Sequence, residues 1–170
     1  MLNLLGSTSA ALGDLDTAYD ACSRELELNR VVGYDGYIAS AEGNLAEVAM
    51  RIGDIPTAAR HQKACLELAV STGSTAMVAF SLIVAARIAG ESSDWPDALR
   101  LHAKAESMLE ELGLALYADD LAESERLLGD AAAGLGADTF GRERAAGAAL
   151  EVTEAIDTAN RVLVDASHGP

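Results

Sequence analysis

The sequence predicts an all-α fold, a solenoid of stacked helix pairs closed by further helices after the last pair. Two observations carry this prediction. Alanine supplies 34 of the 170 residues, whereas aromatic residues make up 4% and prolines number three. Alanine has the highest helix propensity and lets neighbouring helices approach closely. The second observation is an internal repeat of forty residues, a period typical of solenoids built from helix-turn-helix units.

Three landmarks recur in one forty-residue register. The hexapeptide that begins at Gly13 recurs in related form at Gly53 and at Ser93, each time with aspartate second and alanine sixth. Glycine recurs at 33, 73 and 113, and a leucine or methionine recurs at 28, 68 and 108. The aspartates suit helix N-caps, because a carboxylate accepts the first free backbone N–H groups. The recurrent glycines suit the left-handed residue that ends a helix.

Each unit is therefore predicted as an A helix, a Gly-Asp turn and a B helix that ends at a glycine. The A helices are expected near 2–12, 35–52, 75–90 and 117–134, and the B helices near 15–30, 55–71 and 95–112. Pro56 and Pro96 fall in the first turn of a B helix, where a missing N–H costs nothing. Two shorter helices follow near 138–147 and 152–164, the second starting at Glu151 or Thr153. We expect one continuous domain, with about three and a half repeats in 1–134 and capping helices and tail in 135–170.

Apolar residues at helical spacing assign the faces of the A helices. The stripes of the second and third A helices are expected to pack against B helices: Ile38, Ala41, Leu45, Val48, Ala49 and Ile52, then Val78, Leu82, Ala85, Ile88 and Ala89. Ala58 and Ala98 mark the close contact between A and B helices.

A Leu-Gly pair followed by Gly-Asp and then by alanine resembles the tetratricopeptide repeat. Leu5-Gly6, Gly13-Asp14 and Ala18 carry the resemblance in the first unit, and Leu45-Ala46, Gly53-Asp54 and Ala58 carry it in the second. Most aromatic positions of that repeat are missing, and forty residues exceed its usual length of about 34. The resemblance implies a scaffold that binds proteins or peptides.

The stretch from about Ala98 to Ala159 resembles the last part of actinobacterial regulators of the LuxR and adenylate-cyclase-fused type. The resemblance lies in the segment from Leu101 to Gly113, in Glu123-Ser124-Glu125-Arg126, in Leu135 to Phe140 and in Ala146 to Ala159. It implies an interaction or effector-sensing region of an ATP-dependent transcriptional regulator. A free-standing adaptor that binds peptides or partner proteins is the alternative.

Charge and motifs exclude several function classes. Twelve basic against 27 acidic residues give a net charge of −15, which disfavours contact with nucleic acid and with anionic membranes. No phosphate-binding loop, dinucleotide motif or metal-spaced histidine pair occurs, and no apolar run is long enough to span a membrane. Cys22 and Cys65 are expected to be buried and reduced in a cytoplasmic protein. We therefore expect no enzyme activity, no cofactor and no bound metal.

Asp119 and Glu123 form the best candidate for chemistry, because they lie four residues apart on one face of a predicted helix. Paired carboxylates can transfer protons or hold a hard cation. A solvated acidic helix start, favoured by the helix dipole, is the stronger interpretation. The three histidines, at 61, 102 and 168, are expected to be exposed or half-exposed.

A second stripe on the A helices is the candidate surface for a partner. Tetratricopeptide arrays bind along the side lined by A helices, and tyrosine and arginine are frequent at binding interfaces. The candidate partner-binding residues are Tyr37, Asn44, Glu47, Arg51, Phe80, Arg87 and Tyr117. Phe80, Val84 and Leu127 have an alternative role as core beneath a neighbouring repeat.

The first repeat is expected to expose an apolar face. Leu2, Leu4, Leu5 and Leu12 supply more apolar surface than one partner helix can cover, and no B helix precedes them. Solenoid ends need a polar cap, or the open face binds another chain. We therefore expect a twofold homodimer through the first repeat, since that symmetry closes.

Overall fold

The computed structural model describes residues 2–116 and 118–169, and this part of the chain is helical with no strand. It contains nine helices: α1 (Leu2–Ala11), α2 (Leu15–Val32), α3 (Asp35–Ile52), α4 (Ile55–Ser71), α5 (Thr75–Glu91), α6 (Trp95–Glu111), α7 (Ala118–Leu135), α8 (Ala137–Ala148) and α9 (Val152–Ser167). The all-α solenoid prediction is confirmed. Helices α1, α3, α5 and α7 are the A helices, and α2, α4 and α6 are the B helices.

The forty-residue landmarks take the roles that the sequence predicts. Asp14 and Asp54 accept backbone N–H hydrogen bonds from Thr17 and Thr57 at 3.2 and 3.1 Å. Asp94 accepts from the third helical residue in the same way at 3.5 Å. The glycines at 33, 73 and 113 have φ of 73°, 68° and 66°. Helix α9 starts after Glu151, whose N–H donates to the Glu154 carboxylate at 3.1 Å.

The core consists mostly of alanines, with a few larger side chains between them. All five stripe residues of α5 are buried, as are Ala58 and Ala98. In α3 the expectation holds for Ala41, Leu45, Val48 and Ala49 but is wrong for Ile52, which is 48% exposed. Ile52 is the last residue of α3, and no helix of the described chain covers its side chain.

The last two helices fold back onto the repeats. Helix α8 packs on α6, and α9 packs on α4, α5 and α6. Ion pairs tie these helices down: Arg100 contacts Glu143 at 2.6 Å, Arg144 contacts Glu106 at 2.6 Å, and Arg161 contacts Asp97. A Cβ added at Gly147 of α8 would lie 2.4 Å from the Arg100 carbonyl oxygen. The two helices therefore touch backbone to backbone.

The two cysteines and His102 test the predictions about the burial of single side chains. Cys22 and Cys65 are free and buried, as expected, and burial raises the pKa of both thiols. The expectation for His102 is wrong, because its side chain is 1% exposed. It lies on α6, which α5, α8 and α9 cover. Burial lowers the pKa of the His102 imidazole, with Glu106 opposing and Arg144 assisting the shift.

None of the helices in the described ranges combines the length and the hydrophobicity needed to cross a bilayer.

Candidate functional site

A groove of about 640 Å³ runs across the A helices and is named here the A-helix groove. Helices α1, α3, α5 and α7 form it, with one contribution from α2. Its lining residues are Gly6, Ala10, Cys22, Asn44, Glu47, Val48, Arg51, Arg87, Asp119, Asp120, Ala122 and Glu123. Four of the seven candidate partner-binding residues are therefore brought together in one place.

Helix α3 supplies the long side of this groove. Asn44, Glu47 and Arg51 are spaced by three and four residues, and this spacing places them on one face of a helix. Asn44 and Glu47 are partly buried, whereas Arg51 is exposed. Arg51 forms no ion pair with any residue of the described chain. Its guanidinium is thus available to an incoming ligand.

Arg87 forms the floor of the groove. It lies forty residues after Glu47, so the two hold the same position in consecutive A helices. Their side chains form an ion pair, and the Arg87 side chain is only 5% exposed. The Asp120 carboxylate lies 3.9 Å away on α7, and Arg87 Nε has no partner among the described residues. Arg87 therefore joins α3, α5 and α7 more than it faces solvent.

The carboxylates of the groove are partly withdrawn from water. Burial raises the pKa of Glu47, although the Arg87 guanidinium pulls it down and Asp120 and Glu123 add to the rise. Burial also raises the pKa of Asp120, with Arg87 opposing and Asp119 reinforcing. Four carboxylates thus share the groove with two guanidinium groups, and one of the latter is already paired.

The other predicted residues lie outside this groove or outside the described chain. Tyr37 is 59% exposed, and its ring contacts Tyr34 edge to face at a centroid distance of 4.7 Å. Phe80 and Val84 are partly buried against the core, and Leu127 is 4% exposed. Leu127 is therefore core, as the alternative interpretation held. Tyr117 lies outside the described residues.

The Asp119 and Glu123 pair belongs to the wall of the groove. Glu123 accepts hydrogen bonds from Arg126 Nη2 and Nε at 2.9 and 3.1 Å. Across residues 2–116 and 118–169, no cluster of histidine, cysteine and carboxylate side chains has the arrangement of a metal site. The pair therefore adds negative charge to the wall of the groove.

Sequence reasoning missed the part that α1 and α2 play. Gly6, Ala10 and Cys22 line the groove, although the sequence pattern predicts only burial for Cys22 and no binding role for Gly6 or Ala10. A Cβ on Gly6 would lie 2.7 Å from the Cys22 Sγ atom, so α1 and α2 approach closely there. The Leu5-Gly6 pair was the signal, since a small residue at this position of the repeat brings the helices together.

The comparisons with known proteins agree with this architecture. Residues 37–111 match the sequence profile of the tetratricopeptide repeat. The matched segment runs from α3 to the end of α6 and so covers two consecutive helix pairs. No curated protein and no solved structure shows significant similarity to the chain. A tetratricopeptide-type repeat is thus recognised in the middle of the chain, and such repeats generally mediate protein–protein interaction.

Proposed function

We propose that this chain is a non-catalytic protein-interaction module that binds a partner segment in the A-helix groove. One observation carries the proposal: Asn44, Glu47, Arg51 and Arg87, which share a predicted stripe, line a single groove with the acidic start of α7. The groove has a volume of about 640 Å³ and is open to solvent.

The charges of the groove select a cationic segment. Glu47 already forms an ion pair with Arg87. Asp119 forms no ion pair among the described residues, and Glu123 forms one only with the exposed Arg126. A lysine or arginine would favour the ionised form of Glu47 and Asp120, which burial disfavours. The net charge of −15 adds long-range attraction for a basic partner.

Tyr37 and Arg51 mark the two ends of this surface on α3. Tyr37 lies two helical turns before Asn44, which is about 10 Å along the axis. Its exposed ring can pack on an apolar side chain of the bound segment, and Arg51 can pair with a carboxylate. Phe80 lies on α5 and packs partly against the core, and Tyr117 stands just before α7 in the sequence.

Fluorescence anisotropy tests the groove with three labelled dodecapeptides that share a Gly/Ser/Ala background and carry three lysines, three glutamates or three glutamines. We expect saturable binding of the lysine peptide and a roughly tenfold weaker affinity when Asp119→Asn and Glu123→Gln are combined. The control variant combines Glu125→Gln and Asp130→Asn, which neutralise exposed residues outside the groove. Equal binding of the glutamate peptide, or an equal loss in the control, would disprove the proposal.

The proposal also concerns the kind of protein in which this chain acts. The resemblance of the stretch from Ala98 to Ala159 to bacterial ATP-dependent transcriptional regulators supports an interaction or effector-sensing region of such a protein. Other domains of the parent protein would then be its partners. A free-standing adaptor is the alternative. The genomic reading frame separates the two. An upstream nucleotide-binding loop with a helix-turn-helix domain supports the regulator, and a frame without them supports the adaptor.

We place the chain in the cytoplasm and assign it no enzymatic activity, no cofactor, no direct nucleic-acid contact and no membrane contact. The charge of −15 supports the last two assignments. A gel-shift experiment at physiological salt and an ATP hydrolysis assay on the purified chain test them, and activity in either would overturn the matching assignment.

A homodimer through the first repeat remains part of the proposal. Leu5 is 48% exposed and Leu12 is 80% exposed, which leaves apolar surface on α1 and on the turn that follows it. The side chains of Leu2 and Leu4 lie outside the described residues. We expect a dimer by light scattering at tens of micromolar and a monomer for Leu5→Asp. A monomeric wild type, or a dimer that the substitution leaves intact, would contradict this.

A further inference from the structure

Helix α9 occupies a groove between two B helices. It packs on α4 and α6, with α5 beneath it. Its buried face is formed by small and branched apolar side chains: Ala155, Ala159, Val162 and Leu163. Near the end of α9 this groove is lined by Ile55, Pro56, Ile88, Ala89, Glu91, Ser92 and Asp94 of the repeats. It is named here the α9 groove.

A related groove exists one repeat earlier, between α2, the end of α3 and Asp54 at the start of α4, and is named here the B-helix groove. Its lining residues are Asp16, Tyr19, Asp20, Ser23, Ala49, Ile52 and Asp54. Four of them stand forty residues before lining residues of the α9 groove: Asp16 before Pro56, Ala49 before Ala89, Ile52 before Ser92 and Asp54 before Asp94. The repeat therefore produces related grooves at two places in the chain.

Within the described chain only the later groove holds a helix, and α9 leaves a cavity of about 520 Å³ open beside its last turns. The B-helix groove is an open space of about 550 Å³. Ile52, which the apolar pattern predicts to be covered, is 48% exposed at its edge. A covering helix would remove this side chain from water, and that burial favours association.

A chain of polar contacts closes one end of the B-helix groove. Tyr19 on α2 reaches His61 on α4, with 3.4 Å between the hydroxyl oxygen and Nε2. The other ring nitrogen of His61 lies 2.7 Å from the Glu42 carboxylate. The equivalents of Tyr19 and His61 one repeat later are Ala59 and Leu101, both fully buried. The part of the B-helix groove that stays open is therefore the end lined by Asp16, Asp20 and Asp54.

Those aspartates specify the charge of the occupant. Arg161 of α9 pairs with Asp97 and is also attracted by Asp94 in the filled groove. Asp54 stands at the position of Asp94, and Asp16 and Asp20 add two exposed carboxylates nearby. Among the described residues, the Asp20 carboxylate forms an ion pair only with Arg24 of its own helix, at 3.0 Å, and both side chains are exposed. Thr57 stands at the position of Asp97, so a cation placed like Arg161 would depend on Asp54, Asp16 and Asp20 for its attraction.

We propose that the open end of the B-helix groove docks a basic amphipathic helix of a partner protein. Such a helix has alanine-sized and branched residues on its apolar face and lysine or arginine beside Asp16, Asp20 and Asp54. A second copy of α9 fits this rim poorly, since it carries Asp157 and Asp165. The proposal concerns a different surface from the A-helix groove.

NMR titration of the full chain tests this docking with three synthetic helices. The first is the sequence 151–168 with Asp157→Lys and Asp165→Lys, which keeps the apolar face and reverses two charges. The second is the same basic helix with Val162→Ser and Leu163→Ser. The third is the unchanged sequence 151–168. We expect the first to shift the signals of Tyr19, Ala49 and Ile52 saturably, and the second and third to bind at least tenfold more weakly.

Two charge variants of the protein provide the matched control. Asp16→Asn with Asp20→Asn should weaken the first helix about tenfold, whereas Glu125→Gln with Asp130→Asn should change its affinity less than twofold. Absence of saturable binding overturns the proposal. So does binding that moves the signals of Arg51 and Asp120 instead, or that displaces Leu163 of α9. Equal or tighter binding of the unchanged sequence would mean that a second copy of α9, and not a basic partner helix, occupies the groove.

Discussion

The α9 groove and the B-helix groove differ in what covers them, although the repeat builds both from equivalent positions. Helix α9 packs in the later groove with Leu163 fully buried. In the earlier groove Ile52 is half exposed, and aspartates surround the opening. The repeat thus determines the shape of each groove, and the non-repeated helices that follow decide which one stays open.

The largest difference is expected from truncating one apolar side chain in each groove. Leu163→Ala should lower the free energy of unfolding by about 2–5 kcal/mol, since it leaves a cavity among fully buried residues. Ile52→Ala should lower it by less than about 1 kcal/mol, because the side chain is already half in water. Urea denaturation followed by circular dichroism measures both. Similar losses would mean that the two grooves are equally covered.

Glycine substitutions within α8 test how the covering helices are held. Gly147→Ala should cost about 1–3 kcal/mol, because the new methyl group would meet the backbone of Arg100. Gly141→Ala, in the same helix, has nothing within 4 Å of its added Cβ and should raise stability by about 0.5–1 kcal/mol. Thermal unfolding compares the two variants. A stabilising Gly147→Ala would show that α8 does not rest on α6 in this way.

The turn before α6 differs from its equivalents at one position. Ser93 has φ of 59°, where the earlier units have Gly13 at 81° and Gly53 at 86°. A left-handed conformation costs a non-glycine residue roughly 1–2 kcal/mol. Ser93→Gly should therefore stabilise the protein by about 1 kcal/mol, and Gly53→Ser should destabilise it by a similar amount. Unchanged unfolding midpoints in both variants would argue against the left-handed turn.

The smallest expected effect is a difference in pH dependence between the cap and the A-helix groove. Burial opposes ionisation of Glu143, but hydrogen bonds from Arg100 and Arg142 dominate and lower its pKa. Its stabilising contribution is present above the unfolded pKa of about 4.3 and is lost as the pH falls below it. Glu47 has a raised pKa, so its destabilising charge disappears as the pH falls.

Substitution of the two glutamates should therefore change acid stability in opposite directions. Glu143→Gln should make the loss of stability below about pH 4.3 shallower, and Glu47→Gln should make the loss just above about pH 4.3 steeper, because the pKa of Glu47 is raised. Urea midpoints measured from pH 3 to pH 7 test this. Parallel pH profiles for the two variants would refute the assigned directions.

Much of the fold could be predicted from the sequence because the signals are local. Asp14, Asp54 and Asp94 satisfy backbone groups three residues away, and glycine at 33 suits a left-handed helix end. These roles need no knowledge of distant residues. The same holds for the stripe Asn44, Glu47 and Arg51, whose common face follows from helical spacing alone.

The candidate site was only partly predictable, since its depth depends on contacts between helices distant in sequence. The pattern marks Arg87 as a surface residue, but Glu47 and Asp120 neutralise it in the groove floor. His102 shows the same effect, because α6 lies beneath α8 and α9 rather than at the surface. A helical period states which residues share a face but does not state which other helix covers that face.

By itself, the sequence determined the helices, their ends, their forty-residue repeat and the acidic charge of the surface. Those properties follow from hydrogen bonds within a few residues, from side-chain spacing and from composition. The tertiary structure alone decided that α9 returns to pack in one groove, that the equivalent groove stays open beside Ile52 and that Arg87 joins three A helices. These outcomes depend on contacts between residues far apart in the chain, for which no local pattern carries information.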